Sequence, residues 1–373
     1  MKPPASITRR RVVRGLALAG AGVVAPRFAA AKPDLPQLVS DLGEMLVIGF
    51  DGDKATSPSA QIVAEQIRAG RIGGAFFVKA NVGSRDDFAG LVRSFTGNAP
   101  ARPLIAIDHE GGNVQRLVER HGFTKLPSPR LVATQLTPGE AKELYAKAGR
   151  ELAETGVNLN LAPVVDLHDP ANPAIGHFDR AFDASFARVV TYAEAFVDGF
   201  ASAGIGCVLK HFPGEGHSTQ DSHTAFPDIT ATWSRQDLEP FARLIASRRA
   251  KVIMNGHVRL ETVEKQPVPV TLSRAATTSL LREKLGFEGV IMTDDVDMLA
   301  VSLGIGRREG VIRTIAAGND LLTIRNVGKF DAHLVEDITE WVREAVAGGI
   351  LSATAIAESA ARVRQFKQTL VNS

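Results

Sequence analysis

The sequence predicts a single (β/α)8 barrel, an α/β fold of the TIM type in which eight parallel strands alternate with helices. Three observations support this fold class: the composition, the number of apolar runs, and the amphipathic stretches between them. The chain has 373 residues, 45% hydrophobic and 23% charged, a globular composition that can bury a large core. No low-complexity linker divides residues 32–373, so we expect them to form one domain.

Eight short apolar runs give the strand count. They occupy residues 43–50, 73–80, 103–108, 159–167, 206–212, 251–258, 289–295 and 320–324. Near-continuous apolar runs of this length are typical of parallel strands that are buried on both faces. Eight such strands fit one barrel.

Amphipathic stretches with helical periodicity separate these runs. Clear examples are residues 59–70, 138–156 and 272–286, and the last two end in glycine, as helices commonly do. A doubly wound open sheet is the structural alternative. However, the residues after the first strand, Asp51-Gly52-Asp53-Lys54, lack the glycine-rich fingerprint of a dinucleotide-binding fold.

The first 31 residues differ from the rest of the chain. They contain six basic residues and no acidic one, followed by a weakly apolar run at 15–25 and small residues at 29–31. This pattern is typical of an export signal, and residues 8–14 resemble the twin-arginine type. We therefore predict a periplasmic or extracellular protein with residues 1–31 as its signal. A disordered basic tail or an uncleaved anchor is the alternative.

The charge outside this segment excludes some partners. The formal net charge is +2, so without the six basic residues the remainder carries about −4, which argues against a nucleic-acid partner. No other run approaches the ~20 apolar residues of a membrane span, so we expect no stable span after signal removal. Cys207 is the single cysteine, which excludes an internal disulfide.

Polar residues stand at the carboxyl ends of five predicted strands. They are Asp108-His109-Glu110, Asp166-Leu167-His168-Asp169, Lys210-His211, Asn255-Gly256-His257 and Asp294-Asp295. Because the carboxyl ends of barrel strands meet at one face, where reactive residues lie, we expect these side chains to form a polar pocket for a polar ligand.

Four segments carry a resemblance to a known family. KHFPGEGHSTQDSH, residues 210–223, resembles the signature of family 3 glycoside hydrolases, in particular the bacterial β-N-acetylhexosaminidase subgroup, which typically reads KHFPGHG, four variable residues, then DSH. IDHEGGNVQRL is similar to the family's I-D-x-E-G-G-R-V-Q-R segment, LAPVVDL to A-P-V-x-D-L, and LGFEGVIMTDDVDM to L-G-F-x-G-V-x-x-[ST]-D-D-x-x-M. The resemblance implies a single TIM-like barrel that uses no metal or cofactor.

The same resemblance implies a retaining mechanism with a nucleophile and an acid/base. The nucleophile would be Asp294, whereas Asp295 would support the site, because adjacent residues on a strand face opposite ways. The subgroup's Asp-x-His dyad is matched by Asp221 and His223. Imidazole has a pKa of about 6.5, so His223 could both give and take a proton near neutral pH, with Asp221 orienting its ring.

Substrate-binding residues follow from the same motifs. Asp108 resembles the aspartate that binds sugar hydroxyls, and Lys210 with His211 matches the family's sugar-binding pair. Arg116 falls on the Q-R position, Arg180 resembles the arginine of the I-G-x-R-S-F segment, and His257 corresponds to the histidine that ends strand six. For the two arginines, a plain surface ion pair is the alternative to ligand contact.

Several positions depart from the family's pattern. Glu215 replaces the usual histidine of PGHG, His217 adds a histidine, and Asn113 replaces an arginine. Ala181 replaces a serine beside Arg180, and residues 177–179 approach it differently. These departures bear on the leaving group and the exact sugar more than on the chemistry.

Together these features predict an exported, metal-independent, retaining exo-β-N-acetylglucosaminidase. We expect a monomer that acts on muropeptides, as in peptidoglycan recycling, or on chitin-derived oligosaccharides. Three alternatives remain: a phosphorylase, because a histidine acid/base tolerates an anionic nucleophile; a β-glucosidase or β-xylosidase; and an inactive carbohydrate-binding protein of the cell wall.

Overall fold

The central sheet contains eight parallel strands that follow the chain around a barrel. The computed structural model describes residues 34–221 and 226–370, without the side chains of 300–302; the predicted signal and His223 lie outside these ranges. The strands are β1 (Leu46–Gly49), β2 (Gly74–Phe77), β3 (Leu104–Ile107), β4 (His109–Gly111), β5 (Val114–Gln115), β6 (Leu159–Asn160), β7 (Gly206–Phe212), β8 (Val252–Asn255), β9 (Val290–Thr293) and β10 (Leu322–Ile324). All of them except β4 and β5 belong to the barrel.

The hydrogen-bonded order of the barrel is β10-β1-β2-β3-β6-β7-β8-β9. A parallel bridge between Met292 and Leu321 joins the two ends of this order, and the backbone N–H of Thr293 donates to the carbonyl oxygen of Leu321 at 2.9 Å. The predicted (β/α)8 barrel is therefore confirmed, and each of the eight predicted runs contains one of its strands.

The strand predicted at 159–167 is the least regular. Its regular part is limited to β6, and Pro163, three residues further along, has no N–H to donate. Beyond it the chain still runs beside β7: Val164 forms a parallel bridge with Lys210, and the Val165 N–H donates to the Lys210 carbonyl at 2.8 Å.

Helices occupy the connections between the strands. They are α1 (Leu35–Glu44), α2 (Pro58–Arg68), α3 (Arg85–Thr96), α4 (Pro129–Gln135), α5 (Pro138–Thr155), α6 (Phe186–Ala201), α7 (Arg235–Ala246), α8 (Val296–Leu303), α9 (Arg307–Ala317), α10 (Leu334–Ala347) and α11 (Ala353–Thr369), with a wider π-type helix at Ala275–Lys284. The stretch predicted as helical at 59–70 covers α2 except its first residue, that at 138–156 contains α5, and that at 272–286 contains the π-type helix. Gly156 ends α5 with φ 89°, a left-handed value that favours glycine.

The strands bury both of their faces, in alternation. On β3, Leu104 and Ala106 belong to a core inside the barrel, whereas Ile105 and Ile107 pack in the layer shared with the helices. This period of two is what a barrel strand requires. The inner core is extended by Val363, Phe366 and Leu370 at the end of the chain's described part.

A short antiparallel hairpin, β4 and β5, follows β3 at the carboxyl face, and it was not predicted. Its turn contains Gly111 and Gly112, both with positive φ, and a Cβ on Gly111 would lie 2.3 Å from the carbonyl oxygen of Pro127. Side chains larger than hydrogen are therefore excluded there, and the hairpin carries Asn113 and Arg116 to the same face. Within the described ranges, no helix combines the length and apolar character needed to cross a membrane.

Candidate active site

A cavity of about 310 Å³ lies where the barrel strands end. Seven of the nine predicted site residues line it: Asp108, Arg116, Arg180, Lys210, His211, Asp221 and Asp294. The structure thus brings together side chains from the ends of four strands, β3, β6, β7 and β9, and their loops, at the face where a barrel places its chemistry. His223 lies outside the described residues, and His257 is placed elsewhere.

Asp294 is the first residue after β9. Its backbone N–H donates to the carbonyl oxygen of Asn255 at 3.1 Å, and its Oδ1 accepts from the backbone N–H of Asp295 at 2.7 Å. The side chain is half-buried. The first contact attaches the backbone of Asp294 to the end of β8, and the second orients its carboxylate in the cavity wall.

Asp295 also lines the cavity, contrary to the expectation that it would face away. The alternation of a strand does not continue here, because both aspartates lie beyond the end of β9. The Oδ1 of Asp295 accepts from the backbone N–H groups of Asp297 and Arg325, each at 3.0 Å. Burial, with the nearby acids Asp297 and Asp294, raises the pKa of Asp295 to about 7. Below that pH a proton on Asp295 reduces the negative charge beside Asp294.

Five charged side chains form an alternating row, here called the charge chain: Arg116, Asp108, Lys210, Glu110 and Arg180. Arg116 donates to Asp108 at 3.1 Å, and Lys210 lies 2.9 Å from Asp108 and 2.7 Å from Glu110. Arg180 donates two hydrogen bonds of 2.8 Å to the carboxylate of Glu110. Each buried carboxylate is thus neutralised by two cations.

This arrangement determines the ionisation of both acids. Burial by itself would raise the pKa of Asp108, but Lys210 and Arg116 lower it below its usual range. Burial opposes ionisation of Glu110 as well, and Arg180 and Lys210 lower its pKa to about 2. Asp108 therefore offers an ionised carboxylate that accepts hydrogen bonds from hydroxyl groups.

The charge chain shows how exposed the ion pairs of the two arginines are. The Arg180 pair is not a surface pair, because the side chains of Arg180 and Glu110 are 9% and 0% exposed. Arg116 is more accessible, at 26%, and pairs with Asp108 while lining the cavity. Glu110 was placed by the sequence at a polar strand end but was assigned no role in the site. Its local sequence does not show that Arg180 and Lys210 pair with it.

His211 is oriented by a buried acid that the motif did not single out as a site residue. Its Nδ1 lies 2.8 Å from Oδ2 of Asp166, which is fully buried and also accepts the backbone N–H of Glu215 at 2.8 Å. Burial alone would lower the pKa of His211, but Asp166, and to a lesser extent Glu215, raise it above the usual value. The imidazolium form is therefore favoured beside the cavity.

Glu215 and His217 occupy different surroundings. Glu215 is 1% exposed and lines the cavity, and its carbonyl oxygen accepts from Asn172 at 2.7 Å. His217 is turned toward α7, where its Nδ1 lies 2.7 Å from Oδ1 of Asp237. Asp237 also caps α7 by accepting from Ser234, so His217 attaches the loop after β7 to that helix.

His257 does not line the cavity, so its expected contact with the sugar is not supported. The ring is 2% exposed, and its Nε2 donates to the carbonyl oxygen of Asp295 at 2.8 Å. Its Nδ1 lies 2.8 Å from Oγ1 of Thr271. The histidine therefore holds the backbone next to Asp294 by a hydrogen bond, without lining the cavity itself. Among the residues that the structure describes, no cluster of three His, Cys, Asp or Glu side chains is suited to hold a metal ion.

Comparison with known proteins gives consistent matches. The model of the glycosyl hydrolase family 3 N-terminal domain matches residues 38–366. The chain is 34% identical over 269 residues to a β-hexosaminidase of Tolumonas auensis, covering 70% of this chain and 78% of that protein. It is 31% identical over 365 residues to β-hexosaminidase LpqI of Mycobacterium tuberculosis, covering 92% and 87%. Among solved structures, a β-N-acetylhexosaminidase from Beutenbergia cavernae superposes with a TM-score of 0.79 and 29% identity, covering 89% of this chain and 98% of that one.

Proposed function

Because the chain belongs to glycoside hydrolase family 3, in its β-N-acetylhexosaminidase subgroup, and is a glycoside hydrolase, we propose that it is a retaining exo-β-N-acetylglucosaminidase. It removes terminal N-acetylglucosamine from muropeptides or chitin-derived oligosaccharides. The observation that carries this proposal is that Asp294 and Asp221 line the same small cavity as every member of the charge chain except Glu110. A volume of about 310 Å³ suits a single sugar residue and therefore exo action.

In the first step, an oxygen of the Asp294 carboxylate attacks the anomeric carbon of the bound sugar. The bond between that carbon and the leaving oxygen breaks as the new ester bond forms. The leaving oxygen takes a proton from the imidazolium of His223, which Asp221 orients. The product of this step is a covalent glycosyl-aspartate and a free alcohol, with His223 now neutral.

In the second step, water attacks the same carbon from the face that the leaving group vacated. Neutral His223 removes a proton from that water, and Asp294 departs as a carboxylate. Two inversions leave the β configuration unchanged. A neutral base at this point avoids placing a further anion beside Asp294.

The sugar is held by the groups that the charge chain keeps ionised. Asp108 accepts hydrogen bonds from hydroxyl groups, while Lys210, Arg180 and protonated His211 donate them. Support comes from their burial: Lys210 and His211 are 3% and 6% exposed, so water competes weakly for their hydrogen bonds.

The second nucleophile in this proposal is water rather than phosphate, because the relatives that the chain resembles are named β-hexosaminidases, which are hydrolases. Assays with and without phosphate distinguish the two nucleophiles. Turnover that requires phosphate in the assay buffer would contradict this part of the proposal.

Substitution of Asp294 tests the proposal most simply. We expect Asp294→Asn to abolish release of the chromophore from an aryl β-N-acetylglucosaminide, because asparagine cannot form the glycosyl ester. Asp86→Asn, an exposed acid on α3, is the matched control and should retain full activity. Aryl β-glucosides and β-xylosides in the same panel distinguish the other family activities, and binding without any turnover would indicate a carbohydrate-binding protein.

The proposal also includes the organisation of the chain. Residues 1–31 act as a twin-arginine export signal, and residues 32–373 form the catalytic domain of a periplasmic or extracellular monomer. Fractionation of producing cells, with Arg9 and Arg10 replaced by lysine as the control, tests export. Gel filtration of the purified protein tests the monomer.

A further inference from the structure

We propose that Phe178 is the stacking platform for the leaving-group sugar, so that the enzyme takes substrates whose leaving group begins with a neutral pyranose ring. This inference rests on the proposed function, since it concerns the alcohol that departs from Asp294. The ring of Phe178 is an exposed apolar surface at a cavity that charged and apolar side chains line together.

Phe178 is unusual among the exposed apolar residues. Four large hydrophobic side chains are exposed in the described part of the chain, and the others are Leu35, Leu131 and Ile350. Phe178 is 41% exposed and is the one of the four that lines the cavity. Phe76, the other aromatic ring of the lining, is 7% exposed and packs in the inner core. An accessible aromatic face is therefore present at this cavity only through Phe178, among the described residues.

The backbone around Phe178 forms a tight turn held at several points. The N–H of His177 donates to Asn172 at 2.9 Å, and that of Asp179 donates to Gly176 at 3.0 Å. A Cβ on Gly176 would lie 1.7 Å from the carbonyl oxygen of Asp169, so only glycine fits there. The turn is therefore compact, and its geometry depends on Gly176.

The ring itself is supported on one side. The imidazole of His177 packs edge to face against Phe178, with ring centroids 4.8 Å apart and an interplanar angle of 80°. Beside this contact the phenyl ring stays 41% exposed. Because the contact with His177 restricts the ring before a ligand arrives, a sugar that stacks on it costs less additional conformational freedom of the protein.

The turn connects this platform to the sugar site. Arg180 follows Phe178 by two residues and is locked onto Glu110 by the two 2.8 Å hydrogen bonds of the charge chain. In addition, three residues separate Gly176 from Arg180, whereas the I-G-x-R-S-F segment has one between its glycine and its arginine. The residues that present the aromatic ring are thus an addition of this chain to the motif.

The chemistry of the partner follows from the ring. A pyranose presents hydroxyl groups at its edge and C–H groups on its faces, so one face can pack on a phenyl ring while the edge remains hydrated. Asn113, which stands in the lining where the family has an arginine, provides an uncharged amide rather than a cation. Both features suit a neutral sugar.

The test compares two substrates of the same sugar that differ in the leaving group. N,N′-diacetylchitobiose has a pyranose as its leaving group, whereas N-acetylglucosaminyl fluoride has a leaving group too small to reach Phe178. We expect Phe178→Ala to lower the ratio of kcat/KM for the disaccharide to that for the fluoride about tenfold, the loss of roughly half of a buried Phe contact. Phe178→Trp should restore the ratio, since it keeps an aromatic face.

Leu131→Ala is the matched control, an exposed apolar residue on α4, and it should leave both substrates unaffected. The inference is overturned if Phe178→Ala has the same ratio of kcat/KM for the two substrates as the wild type. It is also overturned if Phe178→Leu and Phe178→Trp have equal ratios, because the aromatic face would then be irrelevant. If the wild type turns over neither substrate, the proposed function fails and the inference fails with it. If the wild type and Phe178→Ala both turn over the two substrates with the same ratio of kcat/KM, the role of Phe178 is refuted while the proposed function stands.

Discussion

Replacing Glu110 with glutamine tests the claim that the charge chain is a buried, mutually dependent unit. The carboxylate is fully buried and lies 2.8 Å from two guanidinium nitrogens of Arg180 and 2.7 Å from Nζ of Lys210. Glutamine has the same shape but no charge. The substitution leaves both cations buried, at 9% and 4% side-chain exposure, with Asp108 as the one remaining anion of the charge chain.

Removing one partner of a buried ion pair typically costs 3–5 kcal/mol, because the other charge stays buried without compensation. Glutamine retains one acceptor oxygen for Arg180, so we expect a loss near the lower limit, about 3 kcal/mol in the free energy of unfolding. The matched control is Glu340→Gln, since Glu340 pairs with Arg343 where both side chains are about half exposed, at 48% and 50%. That change should leave the free energy of unfolding close to that of the wild type, because water and salt screen an exposed pair.

Urea denaturation followed by tryptophan fluorescence measures both variants against the wild type. The pKa of Glu110 is lowered to about 2, so its contribution is present above the usual glutamate pKa and is lost as the pH falls toward 2. The difference between wild type and Glu110→Gln should therefore shrink as the pH falls from about 4.5 toward 2. Equal stabilities of the Glu110 and Glu340 variants at neutral pH would refute the reasoning.

Two further predictions concern the other shifted groups. The raised pKa of Asp295, about 7, means that its contribution to stability is present below the usual aspartate pKa and is lost as the pH rises through 7. Asp295→Asn should therefore gain stability relative to wild type as the pH rises from about 4 to 7, and the gain should level off above pH 7, in urea denaturation at each pH. A difference that stays constant over this range would contradict this. For His211, Asp166→Asn should lower the ring pKa strongly and Glu215→Gln more weakly, as measured by NMR titration. A ring pKa that neither change lowers would show that the two acids do not control it.

The fold was predictable because parallel barrel strands are buried on both faces. Residues such as Val290, Ile291 and Met292 on β9 must all be apolar, so the strand appears as a continuous run. The β4 and β5 hairpin was missed because its residues, including His109 and Glu110, do not alternate between polar and apolar. Its glycines could have signalled the turn, but not the pairing.

The residues that form the site could largely be predicted, but the directions of their side chains could not. Strand ends were located correctly, yet Asp295 lines the cavity and His257 does not. Side-chain direction past the end of a strand depends on loop geometry, here on the contacts of Asp295 with Asp297 and Arg325. Similarly, the roles of Glu110 and Asp166 depend on partners far away in the chain, such as Arg180, 70 residues from Glu110.

The central claim, a covalent intermediate on Asp294, can be measured directly. A 5-fluoro glycosyl fluoride of N-acetylglucosamine accumulates the glycosyl-enzyme, because the ring fluorine destabilises both cation-like transition states and the fluoride leaving group offsets this only in the first step. Digestion and mass spectrometry of the trapped enzyme should then find one added sugar on the peptide that contains Asp294, with fragmentation placing it on that residue. A label on Asp295 or on another residue, or an active enzyme that accumulates no label, would contradict the account.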